Sequence, residues 1–139
     1  MKRFLLVSLV ISTCSSLGGC GDGLPTRVQV TGKVFFQGQP LHTGTISFSP
    51  KAKGATRPSL AFLHEDGTFK MTTFRAEDGV QPGDYDVAII AYDEGPLSNS
   101  LNWTRTGKKL IPEKYFTHAT SGLKATIPDH DVELEFKIE

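Results

Sequence analysis

The closing stretch of the chain alternates without a break, with Val132, Leu134, Phe136 and Ile138 on one side and Asp131, Glu133, Glu135 and Lys137 on the other. Successive side chains of an extended strand point to opposite faces, whereas a helix would spread these four apolar residues around its circumference. Only a half-buried strand buries all four together. The same period of two recurs upstream. Val28, Val30, Val34 and Phe36 oppose Gln29, Thr31 and Lys33, and Ile46 and Phe48 alternate with Thr45 and Ser47. The first run stops at Gln37-Gly38-Gln39-Pro40 and the second at Pro50, where turn chemistry takes over.

Between these runs the alternation continues. Lys51 to Arg57 reads as a polar loop, after which Leu60 and Phe62 mark the apolar face of a third strand. Glu65-Asp66-Gly67 turns it into a fourth that carries Phe69 and Met71, because Asp-Gly between alternating runs supplies the positive φ a hairpin turn needs. A fifth strand follows Gln81-Pro82-Gly83. It is apolar on both faces (Tyr85, Val87, Ile89 and Ala91 against Ala88 and Ile90) and so belongs in the middle of a sheet. Leu123, Ala125 and Ile127 mark a sixth. No ten-residue stretch has a helical period, and 14 glycines and 8 prolines suit a chain of many turns. The expectation is an all-β fold, one antiparallel sandwich of about seven strands, and 139 residues leave room for one such domain.

The amino terminus has a different logic. Met1-Lys2-Arg3 is a short positive segment, Phe4 to Ile11 is apolar, and small residues lead to Leu17-Gly18-Gly19-Cys20. That order is a secretory signal, and its apolar run is shorter than the roughly 20 residues a membrane span needs. Leu17 to Cys20 resembles the lipobox of bacterial lipoproteins, in which cleavage falls before a cysteine that carries diacylglycerol. The resemblance implies cleavage between Gly19 and Cys20, lipid on Cys20, and a membrane as the partner reached through that lipid. An ordinary leader with an incidental cysteine, or a rival lipobox at Cys14, are the other readings. With residues 1–19 removed and Cys20 acylated, no free thiol remains, and disulfides, thiolate metal sites and thiol catalysis drop out together. Residues 20–26 then form the lipidated cysteine and tether, and 27–139 the sandwich domain. Loss of Lys2 and Arg3 takes the 15 basic residues to 13 against 15 acidic ones, which provides neither a polybasic membrane patch nor a footprint for nucleic acid.

Several segments resemble the carboxypeptidase regulatory-like domains, which have a transthyretin-like (prealbumin-like) sandwich. These are Val30-Thr31-Gly32-Lys33-Val34, Gly38-Gln39-Pro40-Leu41 and Gly44-Thr45-Ile46-Ser47-Phe48, then Asp66-Gly67-Thr68-Phe69 and Val80-Gln81-Pro82-Gly83-Asp84-Tyr85-Asp86-Val87. Ile111 to Tyr115 and Thr120 to Leu123 are similar to the tail of short bacterial lipoproteins built on that domain. The resemblance implies a non-catalytic binding or structural module at the cell envelope, outside the cytoplasm and lipid-anchored to the inner or outer membrane. It names no ligand.

Transthyretin-like hydrolases end in Tyr-Arg-Gly-Ser, and this chain ends Phe136-Lys137-Ile138-Glu139. Sandwich-type dioxygenases use two tyrosines and a His-x-His pair; here Tyr115 and His118 stand three apart without such a pair, which reads as Tyr115 at a loop edge and a solvated His118. His42, His64 and His130 lack zinc spacing, and Asp66, Asp78 and Asp84 sit beside turn glycines, as turn geometry alone explains. No Gly-x-Ser-x-Gly elbow surrounds Ser121. Asn102-Trp103-Thr104 matches a glycosylation sequon by chance. The expectation is therefore no catalytic residue, no metal and no cofactor, with a small envelope hydrolase of the same fold as the alternative.

Asp93 to Ile111 is aperiodic and longer than most connections in a compact domain. It holds the single tryptophan, Trp103, near Arg105, Lys108 and Lys109. An aromatic ring among cations suits stacking on a sugar or contact with an envelope protein. The competing reading is a loop that caps the sandwich with Trp103 tucked into the core. These four residues are the candidate binding set, and an envelope protein or polysaccharide the candidate partner.

Overall fold

The computed structural model describes residues 23–52, 57–93 and 107–139. Their strands are β1 (Val30–Phe36), β2 (Gln39–Pro40), β3 (Thr45–Pro50), β4 (Ser59–Phe62), β5 (Thr68–Lys70), β6 (Gly83–Ile90), β7 (Leu123–Ile127) and β8 (Val132–Ile138), with a 3₁₀ turn at Glu113–Phe116. They form two four-stranded sheets, so the all-β expectation holds. In the first sheet β1 is central. β8 lies along one of its edges from Val30–Val132 to Phe36–Ile138, and β5 and β2 follow one another along the other. In the second sheet the order is β4-β3-β6-β7. β6 is thus the interior strand that its two apolar faces predict.

Aromatic residues from both sheets meet between them. Phe48 of β3 lies 6.1 Å from Phe136 of β8, edge to face, and 5.8 Å from Tyr85 of β6; Phe69 of β5 lies 6.2 Å from Phe136. Val87 is fully buried and Phe136 only 7% exposed, as two sheets sharing one core require. Val30, Val34, Ile46, Met71 and Ile89, all fully buried, belong to the same core.

Three details depart from the expected pattern. The fold is not antiparallel throughout, because β8 runs parallel to β1. An alternating pattern specifies which face is buried but not the neighbour's direction. These two strands are far apart in sequence, and no hairpin forces them antiparallel. Secondly, Gln37-Gly38 does more than stop a strand. Both residues have positive φ (49° and 80°), the signature of a type I′ turn, and the chain folds back to pair Phe36 with Gln39.

Thirdly, β4 is turned over. Leu60 and Phe62, expected inside, are 43% and 56% exposed, while Ser59, Ala61 and Leu63 point inward. The buried polar atoms explain it. Ser59 Oγ lies 2.6 Å from Thr73 Oγ1, whose own proton goes to the Gly79 carbonyl at 2.6 Å, so Ser59 is the donor in the first bond. This chain of hydroxyls satisfies every member, which makes a buried serine tolerable. The predicted turn at Asp66-Gly67 does form: Gly67 has φ +79° and His64 donates to the Thr68 carbonyl at 2.8 Å. Its two arms, however, belong to different sheets.

The outer face of the second sheet is crossed by the segment from Leu110 to Ser121, which packs on β6 through the 3₁₀ turn and leaves Ala88 only 2% exposed. Ser121 Oγ donates to the Val87 carbonyl, and Ser47 Oγ lies 3.0 Å from His118 Nε2. Tyr115, expected at a loop edge, is buried, with its hydroxyl donating to the Glu139 carbonyl at 3.1 Å. His118, expected in solvent, is half-buried against Ser47. In both cases the side chain pins this crossing segment to the sandwich.

Candidate functional site

The two ends of the sandwich differ in what they hold. At one end the chain arrives through Leu24 to Arg27. Val28 and Val80 exchange both backbone hydrogen bonds at 2.9 Å, and Arg27 Nε lies 3.1 Å from Asp78 Oδ2. The arginine also donates to the Pro25 carbonyl at 2.7 Å and stacks over Phe74, with Arg57 over the same ring at 5.7 Å. Asp78 accepts from the Thr73 amide at 2.7 Å and from the Phe74 amide at 3.1 Å. Burial raises its pKa, but these amides, a further amide at Arg75 and the Arg27 charge outweigh that and hold it below the usual carboxylate range. Asp78 is thus a fastening of the turn, as its neighbouring glycine suggested.

From there β1, β6 and β8 all run towards the opposite end, roughly 23 Å away for the seven residues of β1 at about 3.3 Å each. At this far end Asp93 donates to the Lys108 carbonyl at 3.0 Å, the Lys108 amide donates to Asp93 Oδ1 at 2.7 Å, and Leu110 donates to the Ala91 carbonyl at 3.1 Å. The long segment therefore leaves and rejoins the sandwich side by side, at the end away from Arg27.

Of the candidate binding set, Trp103 and Arg105 lie outside the described residues, as do Gly19 and Cys20. Lys108 is exposed. Lys109 is already engaged, its Nζ 2.6 Å from Glu113 Oε2 and 5.9 Å from the Phe116 ring centre, and the glutamate raises its pKa. A cleft of 360 Å³ opens beside these residues, lined by Phe36, Gln37, Pro40, Leu41, His42 and Leu110.

Asp66 and Asp84 serve the fold. Asp66 Oδ1 accepts from the Thr68 hydroxyl and amide at 2.6 and 3.0 Å, which lowers its pKa, and Asp84 accepts from Thr126 at 2.7 Å. His42, His64 and His130 are exposed and apart. Among the described residues no three His, Cys, Asp or Glu side chains gather as a metal ion requires, and no helix is long and apolar enough to cross a membrane.

Two features went unread in the sequence. One is the Ser47–His118 contact, a hydroxyl at hydrogen-bond distance from an imidazole, made by residues 71 positions apart. No motif signals a pair formed across such a separation. The other is a cleft of 410 Å³ between the arms of the β4–β5 hairpin, with Leu60 and Phe62 on one wall and Lys70, Thr72 and Glu77 on the other. It was hidden because the sequence assigned Leu60 and Phe62 to the core.

No protein-family model matches the sequence, and neither does any curated protein. Among solved structures the chain is similar to a DUF3823 family protein from Parabacteroides merdae, with 14% identity, a TM-score of 0.44 and a match that covers 82% of this chain and 46% of that one. The chain thus spans about half the length of that structure.

Proposed function

We propose that this chain is a cell-envelope lipoprotein, anchored through Cys20, whose transthyretin-like sandwich is a non-catalytic binding or structural module. The observation that carries the reading is the polarity of the sandwich. The chain arrives beside Arg27 at one end, and the termini of the long segment stand at the other. A domain held by lipid at Cys20 presents that second end away from the bilayer. Two or three fatty chains, each methylene contributing about 0.8 kcal/mol, make such an anchor stable. Six residues, Gly21 to Thr26, separate Cys20 from Arg27, and at no more than about 3.6 Å per residue they keep the entry end of the domain within roughly 25 Å of the anchor. The partner is an envelope protein or polysaccharide, with no cofactor.

The experiment is fractionation of the chain and its Cys20→Ser variant, with mass spectrometry of the native protein. The expected result is a diacylglycerol-bearing Cys20 at the mature amino terminus, and a variant that is unprocessed or released from the membrane. An unmodified Cys20 overturns the anchor.

A second reading, a small envelope hydrolase, draws on the Ser47–His118 contact, in which a nucleophile and a base lie 3.0 Å apart. That reading requires Ser47 to react with a fluorophosphonate probe in the parent chain, and labelling to vanish in both Ser47→Ala and His118→Ala. The structural role, which the fold favours, requires no labelling in any of the three.

A further inference from the structure

We infer that the cleft between the arms of the β4–β5 hairpin is a binding site for a neutral saccharide, with Phe62 as its stacking platform. This deepens the binding-module reading, rests on it for its class alone, and is independent of the lipid anchor.

The cleft exists because β5 leaves its hairpin partner. The ladder between the arms is bonded at Leu60–Thr72 and again at His64–Thr68, but between these rungs Lys70 pairs with Thr31 of the first sheet and Phe62 with Thr45 of the second. The arms splay at the middle rung and open 410 Å³, within the roughly 300–1,000 Å³ typical of small-ligand clefts. Phe62 is 56% exposed on one wall and Leu60 43% exposed beside it, although water disfavours exposed apolar surface of this size. Single exposed apolar residues are ordinary, but two adjoining ones on the wall of an open cleft form a continuous apolar face.

The opposite wall is polar and held in place. Lys70 Nζ donates to Glu77 Oε2 at 2.9 Å, and the Glu77 amide donates to Thr72 Oγ1 at 2.9 Å. Glu77 has φ +54°, a left-handed conformation that a residue with a side chain adopts only at a cost, and these two bonds fix it there. The arrangement leaves the Thr72 hydroxyl proton, further ammonium protons of Lys70 and the second carboxylate oxygen of Glu77 for other partners. Lys70 and Glu77 cancel each other, so their wall favours neither an anion nor a cation, and His64, which also lines the cleft, adds ring nitrogens that can meet a hydroxyl. An uncharged ligand with one flat C–H face and an edge of hydroxyls, as a pyranose ring has, matches both walls at once.

The test is a glycan array, with neutral and acidic oligosaccharides, probed with the full chain carrying Cys20→Ser so that no lipid contributes. Neutral glycans should be retained by this chain and lost, by tenfold or more in affinity, when Phe62→Ala is added. Because Phe62 is largely exposed, that variant should melt within a few degrees of its parent. Glu77→Gln, which breaks the pair with Lys70, should also weaken retention. Four results overturn the proposal: no glycan retained, retention of acidic glycans alone, retention unchanged by Phe62→Ala, or retention abolished by Trp103→Ala but not by Phe62→Ala. None of them bears on whether Cys20 is lipidated.

Discussion

The ring of Phe69 lies over Gly32, in the space where a side chain would stand: a Cβ at Gly32 would come within 2.6 Å of the Phe69 Cζ atom and closer still to the Leu134 carbonyl oxygen. Gly32 is the third of the seven residues of β1, flanked by β5 and β8, and the alternating set Val30, Val34 skips over it. The skipped position is filled from the neighbouring strand.

Gly32→Ala in a relaxed strand would ordinarily stabilise by about 0.4–1 kcal/mol through the unfolded chain. Here the sign should reverse, with a loss of about 1–3 kcal/mol from overpacking. Urea unfolding at neutral pH measures it, and a stability gain would show that Phe69 does not sit over Gly32.

Phe136→Ala should cost about 3–5 kcal/mol, as truncation of a buried aromatic does. The ring touches Phe48 across the core and Phe69 on its own side, so two neighbours lose their contact together. Chemical denaturation of the pair of proteins gives the number. A loss below about 1 kcal/mol would mean that the sheets do not share this core.

The flipped register of β4 makes a paired prediction. Thr73→Val keeps the shape and removes the hydroxyl, which leaves the Gly79 carbonyl and Ser59 without their partner, and should cost about 1–3 kcal/mol. Phe62→Ala should cost less than about 1 kcal/mol because the side chain is largely in water. Were Leu60 and Phe62 the inward residues, the ranking would invert.

How much of this was legible follows from what each signal encodes. Alternation located β1, β3, β6, β7 and β8 and named their buried faces, because in those strands the large apolar residues are the ones inside. It failed at β4, where the buried face is Ser59 and Ala61 and is set by hydroxyl contacts with Thr73, fourteen residues away. Turn chemistry found Gly67 but could not tell that the arms part into two sheets. The parallel pairing of β1 and β8 is likewise decided by the whole fold. Of the candidate site, Lys108 was placed at an exposed end, whereas Lys109 was read as available and is held by Glu113. The Phe62 cleft was invisible for the same reason that β4 was misread.

The last prediction concerns acid. Asp78 fastens the end where the chain enters the sandwich, through the amides of Thr73 and Phe74 and the guanidinium of Arg27. Its pKa is lowered from the ordinary 3.8, so the folded chain binds this proton less readily than the unfolded one. The group therefore contributes stability above that ordinary value, and the contribution is lost as pH falls through the lower folded value. Asp78→Asn keeps the shape but removes the charge that faces Arg27 and weakens the amide bonds. It should lower stability at pH 7 by about 1–3 kcal/mol. The gap between parent and variant should then narrow as pH drops below about 4. Urea midpoints recorded from pH 7 down to pH 2 test both parts. A gap that stays constant over that range would show that the carboxylate charge of Asp78 does not hold this end of the sandwich together.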